Sequence, residues 1–176
     1  MMSVLSPGRA LRSVSLGLAL ALGACASEQI PSGQPSFYQN LTKGGQLDPA
    51  AAASMISGYR QNHGLPMVSL DPDLMRMAEA QARAMAGKDK LDHNVAGPFK
   101  ERLRKSGFNA ATGAENVGAG YHTLAEAFSG WRDSPPHKAN MLLRGATKMG
   151  IAAVYVPNTK YKVFWALILA APDAQS

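Results

Sequence analysis

His93, Glu115 and His137 are the side chains of this 176-residue sequence whose chemistry could combine into a site. Two neutral imidazoles and a carboxylate make a donor set suited to Zn²⁺ with coordination positions left open, because that ion accepts both nitrogen and oxygen ligands. Brought within about 4 to 6 Å of each other, imidazole and carboxylate would each favour the other's charged form, and the region would respond to mildly acidic pH. A plainer reading stands beside this one. Each imidazole could simply satisfy buried backbone groups, and Glu115 with Asn116 could tie the loop between the third helix and the sheet through hydrogen bonds. The other two histidines read as structural or surface residues: His63 falls at a helix C-terminus, where the dipole favours a cation, and His122 lies beside a turn.

Ser134 adds a hydroxyl three positions before His137. It precedes Pro135, which biases it away from helical backbone and makes it the expected N-cap of a short helix carrying His137 and Asn140. No serine sits in a nucleophile-elbow sequence and nothing marks a dedicated base for Ser134. Serine or metal-dependent hydrolysis is therefore the second function class, behind binding.

The elements that must position these residues can be read from capping and periodicity. Asp48-Pro49 opens a first helix, an N-cap followed by proline in the first turn, which closes near Gly64. Asp71-Pro72 repeats that grammar, with Leu74, Met77, Ala78, Gln81, Ala82 and Met85 at helical spacing before Gly87. The methionines of this stripe suit irregular core packing. A third helix spans Pro98 to Ser106, with Phe99 and Leu103 inward and Lys100, Glu101, Arg104 and Lys105 in solvent. A Gly/Ala/Asn loop follows. Glu115 to Tyr121 then reads as a short strand, and Thr123 caps a helix with Leu124, Phe128 and Trp131 on one stripe. Met149 to Val156 and Tyr161 to Ala170 are strands joined by a turn at Pro157 to Lys160. From Val163 to Ala170 every residue is apolar, so both faces of that strand must be covered. Helices on both sides of a small, mainly antiparallel sheet satisfy that demand, an α+β class.

Several stretches resemble one family in order and spacing. Tyr59-Arg60-Gln61-Asn62-His63-Gly64-Leu65-Pro66 is similar to a first helix ending in R-x-x-x-G-L-P. Asp71-Pro72-Asp73-Leu74 with Ala78 and Ala82 matches the second helix. His93, Arg102-Leu103 with Gly107-Phe108, Gly113-Ala114-Glu115-Asn116-Val117, and Gly130-Trp131 through Ser134-Pro135, His137, Asn140 and Leu142 follow. Together they resemble the CAP superfamily of cysteine-rich secretory, antigen 5 and pathogenesis-related-1 proteins, in a cysteine-poor bacterial branch. The resemblance implies a three-layer α-β-α sandwich and a central cleft holding two histidines and two acidic residues. His93, Glu115 and His137 fill three of those places. The fourth acidic position falls on Ser134, with Asp133 adjacent but directed elsewhere and Glu126 at a different register, so the cleft set is His93, Glu115, Ser134 and His137. The resemblance also offers sterol or lipid binding and, for some members, protease activity.

The N-terminus reads as an address. Arg9 and Arg12 form a positive region, Val14 to Leu22 a short apolar core, and Leu22-Gly23-Ala24-Cys25 the cleavage box of a bacterial lipoprotein signal peptide. This apolar run is shorter than the roughly 20 residues a membrane helix needs. Cys25 is the only cysteine, so no intramolecular disulfide can form, and lipidation would consume the thiol. The expected organisation is a signal peptide over 1–24, a Ser/Gly/Pro/Gln/Asn-rich flexible tether over 25–47 and a CAP domain over 48–172. Such a tether reaches about 25 Å. Ala26 after the cysteine favours the outer membrane, facing the periplasm, by likeness to other lipoproteins. The formal net charge of +6 falls by two when the leader is removed, and no Lys/Arg cluster marks a nucleic-acid footprint. The expected partners are the membrane, through lipidated Cys25, and an envelope protein, lipid or small molecule. A divalent metal such as zinc is the candidate cofactor.

Overall fold

The computed structural model describes residues 33–174, together with Met2. The leader otherwise, Cys25 and the tether up to residue 32 lie outside the described residues. Two short 3₁₀ turns, Ser36–Tyr38 and Leu41–Lys43, lead into α1 (Pro49–Gln61), β1 (Ser69–Leu70), α2 (Pro72–Gly87), α3 (Phe99–Lys105), β2 (Ala110–Ala119), α4 (Leu124–Asp133), α5 (Pro135–Met141), β3 (Lys148–Tyr155) and β4 (Val163–Pro172). Both Asp-Pro starts behave as their chemistry requires. Asp48 Oδ1 accepts from the amides of Ala50 at 3.0 Å and Ala51 at 3.1 Å, and Asp71 Oδ1 accepts from Asp73 at 2.9 Å and Leu74 at 3.1 Å. Thr123 and Glu126 form a reciprocal capping box at the start of α4, which accounts for Glu126.

The sheet order is β1-β3-β4-β2, antiparallel except for the parallel β1/β3 pair. β4 is central and buried from Val163 to Ala171, as its unbroken apolar run demanded. Its odd-numbered residues, including Trp165, Leu167 and Leu169, pack with α1, α4 and α5, while Ala166, Ile168 and Ala170 pack against α2 and α3. Helices thus cover both faces, and the expected α-β-α sandwich is the observed one. Trp131 of α4 meets Trp165 edge to face, with ring centroids 6.4 Å apart.

α1 is tied to the far end of α5 by Arg60, which is 0 % exposed. Its guanidinium donates to the carbonyls of Pro66 at 3.0 Å, Met141 at 2.9 Å, Leu143 at 3.0 Å and Ala146 at 2.7 Å. No carboxylate faces it among the described residues. The α5 C-terminus supplies partial negative charge instead, and burial pushes its pKa down.

Most boundaries fall within three residues of the sequence reading, the two-residue β1 is additional to it, and two differences are larger. β2 starts at Ala110, so the expected Gly/Ala/Asn loop forms its first half, and it ends before Gly120 (φ +84°). Pairing with β4 out to Pro172 overrides the weak strand preference of alanine and glycine. The second difference concerns the tether. Residues 36–47 lie against the domain: Ser36 Oγ donates to Asp48 Oδ2 at 2.9 Å, the Leu41 amide donates to His122 O at 2.9 Å, and Phe37, Leu41 and Leu47 pack on the core of α1 and α4. The apolar trio in an otherwise polar stretch is what seats it.

Candidate functional site

The region around His93 is built over the outer edge of β2, where the loop after α2, α3 and α5 converge. Glu115 lies on the α3 side of β2 and is 2 % exposed in its side chain. Both its oxygens accept from Arg102 Nη2, Oε1 at 2.9 Å and Oε2 at 2.8 Å, and Oε1 also accepts from His93 Nδ1 at 3.0 Å. A carboxylate only accepts, so the proton on His93 is on Nδ1, and Nε2 has no protein hydrogen bond among the described residues on a side chain that is 47 % exposed. Arg102, 10 % exposed, extends the network by donating from Nε to Gly97 O at 2.9 Å and from Nη2 to His93 O at 3.1 Å. Gln81 Nε2 reaches the same loop, donating to Asp92 O at 2.8 Å and His93 O at 3.3 Å. Gln81 Oε1 and Arg102 Nη1 are buried without a protein partner among the described residues, at a cost of about 1 to 3 kcal/mol each if unhydrated.

α5 covers the other side of this edge. Asn140 Nδ2 donates to Glu115 O at 3.1 Å and to Asn116 Oδ1 at 2.9 Å, and Asn116 Nδ2 donates to His137 O at 2.9 Å. Asn116 therefore pins α5 to β2, rather than the loop between α3 and the sheet that the plainer reading of the Glu-Asn pair names. The two imidazoles are pushed in opposite directions. The hydrogen bond to Glu115 holds the His93 pKa above its ordinary value, whereas burial, with His93's charge nearby, pulls that of His137 below it.

The structure thus brings His93 and Glu115 into contact and puts His137 within electrostatic reach of His93. Ser134 begins α5 with extended backbone and Pro135 behind it, but its hydroxyl makes no cap hydrogen bond; only its carbonyl accepts, from Lys138 N at 2.8 Å. The expected side-chain capping role is not seen: α5 has proline at N2 as well as at N1, and Pro136 lacks one of the two amides that an N-cap side chain reaches. Asp133 pairs with Arg132 at 2.8 Å, away from the site. His63 is exposed with Nδ1 2.8 Å from Tyr59 O, and His122 donates its backbone amide to Glu126; neither takes part.

Glu115 does not fit the role of zinc ligand in this arrangement. Both its oxygens already accept from a guanidinium, and an adjacent divalent cation would face Arg102's fixed charge. Among the described residues no group of three or more His, Cys, Asp or Glu side chains could hold a metal ion. Arg102 is the residue the sequence reading missed. In sequence it stands only as a motif residue of the resemblance, with no role attached, yet it lies three positions after Phe99, on the inward stripe, with its guanidinium 5.6 Å from that ring.

A model of the cysteine-rich secretory protein family, CAP, matches residues 53–169. The chain belongs to that family. This CAP chain is 30% identical over 103 residues to the uncharacterized protein YkwD of Bacillus subtilis, covering 57% of this chain and 40% of that protein. The chain thus spans well under half of that relative's length. Among solved structures it is similar to an outer surface protein from Borrelia burgdorferi, with TM-score 0.62, 18% identity and coverage of 73% of this chain and 98% of that one. It is also similar to an extracellular SCP-domain protein from Bacillus anthracis, with TM-score 0.60, 20% identity and coverage of 69% and 39%. At these identities the two structures establish the CAP fold alone.

Proposed function

We propose that this CAP protein is an exported, lipid-anchored binding module of the bacterial envelope, whose His93 and His137 imidazoles receive an anionic group on a small molecule or envelope partner. The observation that carries the reading is the Arg102–Glu115–His93 Nδ1 chain. It fixes the His93 ring, leaves Nε2 without a protein partner among the described residues and so able to donate whenever the ring is charged, and engages the one carboxylate that is buried among the described residues and could have served as general base or metal ligand. Export is supported by the lipoprotein-like leader and by the names of two fold relatives, one an outer surface and one an extracellular protein. The attachment proposed is through Cys25, on the lipoprotein-like cleavage box; among the described residues no helix is long and apolar enough to cross a membrane.

Two experiments test this. An alkyne-tagged fatty acid should label the wild-type chain in membranes, and Cys25→Ala should abolish labelling and release the protein from the pellet. In NMR titrations, acetate and inorganic phosphate should move the His93 ring signals and the backbone amides around Glu115 below neutral pH; His137→Ala should weaken the ring response, and His93→Ala/His137→Ala should abolish that of the amides. If chelator-free protein instead carries stoichiometric zinc that the double variant loses, the metal-dependent hydrolase reading replaces this one.

A further inference from the structure

The outer edge of β2 is capped along its second half and open along its first. Val163 turns its carbonyl toward the β2 side, where Gly120 N donates to it, and Ala170 turns its carbonyl toward Thr147 on the β3 side. With the period-two alternation of a strand, this register points the backbone groups of Gly113, Glu115 and Val117 away from β4. Two of these outward carbonyls are taken by side chains: Glu115 O by Asn140 Nδ2 at 3.1 Å and Val117 O by Trp131 Nε1 at 3.2 Å. Gly113 is the next in line, and its N–H and C=O meet no protein group among the described residues. A register shift between Ala110 and Thr112 leaves Ala111 unmatched as well.

The open stretch forms one wall of a groove of about 460 Å³, with α3 as the other. Phe99, Leu103 and Phe108 supply its apolar surface, and the exposed Lys100 and Arg104 stand over it, with no acidic residue in the lining. Glycine at 113 keeps α3 close to the strand: a Cβ there would lie 2.8 Å from Leu103 Cδ2, 3.3 Å from Leu169 O and 3.4 Å from Phe99 Cζ, so the Leu103 side chain would have to shift. An unpaired strand edge beside apolar pockets is the geometry that accepts an extended peptide by strand addition, backbone bonds giving affinity and alternate side chains giving selectivity. The two cations decide which peptide.

We propose that the groove between α3 and the Ala111–Gly113 edge of β2 binds an extended, acidic segment of another envelope protein, as a short added strand whose carboxylates meet Lys100 and Arg104. This inference goes beyond the histidine reading, since neither His93 nor His137 lines the groove. The test uses the full-length chain carrying Cys25→Ala, ¹⁵N-labelled, titrated with a capped Glu-Val-Glu-Val-Glu peptide. The expected result is shift changes confined to residues 99–113, slowed exchange of the Gly113 amide, and at least a tenfold affinity loss in Lys100→Glu/Arg104→Glu, whose exposed positions leave the fold intact. A peptide with N-methylated valines, or with lysine in place of glutamate, should bind at least tenfold more weakly. Equal binding of either control within twofold, shifts centred on the histidines, or no shifts at millimolar peptide would overturn the proposal. So would concentration-dependent β2 shifts without peptide, which would make a second copy the occupant.

Discussion

His93 and His137 share a region, yet their pKa values are displaced in opposite directions, because one gains a carboxylate partner and the other loses water. NMR titration should place the His93 midpoint above about 6.5 and that of His137 below it. In Glu115→Gln the upward displacement of His93 should vanish while His137 stays low, its main cause being burial. The signs carry over to stability. His93 contributes stability that is complete below about 6.5 and fades as pH rises through its raised folded pKa; His137 contributes stability that is complete above about 6.5 and fades as pH falls through its lowered one. Denaturant midpoints of His93→Gln and His137→Gln against pH should therefore diverge from wild type in different windows. Arg102→Met would leave Glu115 buried with no fixed cation, and should cost about 3 kcal/mol by urea unfolding. The same residue marks the limit of reading a site from types and spacing. The histidines and Glu115 were legible as chemistry-bearing groups, whereas Arg102 sat among four other charged residues on a short helix, and only contact with Phe99 and Glu115 separates it from them.

Elements whose own residues carry their signals were legible, and those formed by their neighbours were not. Asp-Pro starts set α1 and α2, and an unbroken apolar run set β4. The first half of β2 has only alanine, threonine and glycine, which say nothing about strands until β4 offers a partner. Tight packing between α2 and β3 is similarly silent in sequence. A Cβ at Gly150 would overlap the Leu74 carbonyl group of α2, so this glycine lets helix and strand backbones approach. Gly150→Ala should push α2 off the sheet and cost about 3 kcal/mol, read from thermal or urea unfolding. Gly58→Ala, on α1 with open space around it, is the control and should be neutral or slightly stabilising.

At the scale of the whole molecule, the folded unit begins before Asp48, the first helix start that the sequence announces. Phe37→Ala should cost about 1.5 kcal/mol for its partly buried ring. A fragment starting at Asp48 should unfold more readily than one starting at Gly33, since it loses Phe37, Leu41 and the Ser36 bond to Asp48; circular dichroism melts of the two would show the difference. A polar composition suggested a tether there, and three apolar residues placed it on the core instead. β4 has both faces and both edges covered by its own chain, while Gly113 at the outer edge of β2 meets solvent. Deuterium should therefore enter the Gly113 amide within local fluctuations, yet reach the Leu167 amide only when the entire domain opens. That central amide is a built-in gauge of global unfolding, readable in native buffer without denaturant.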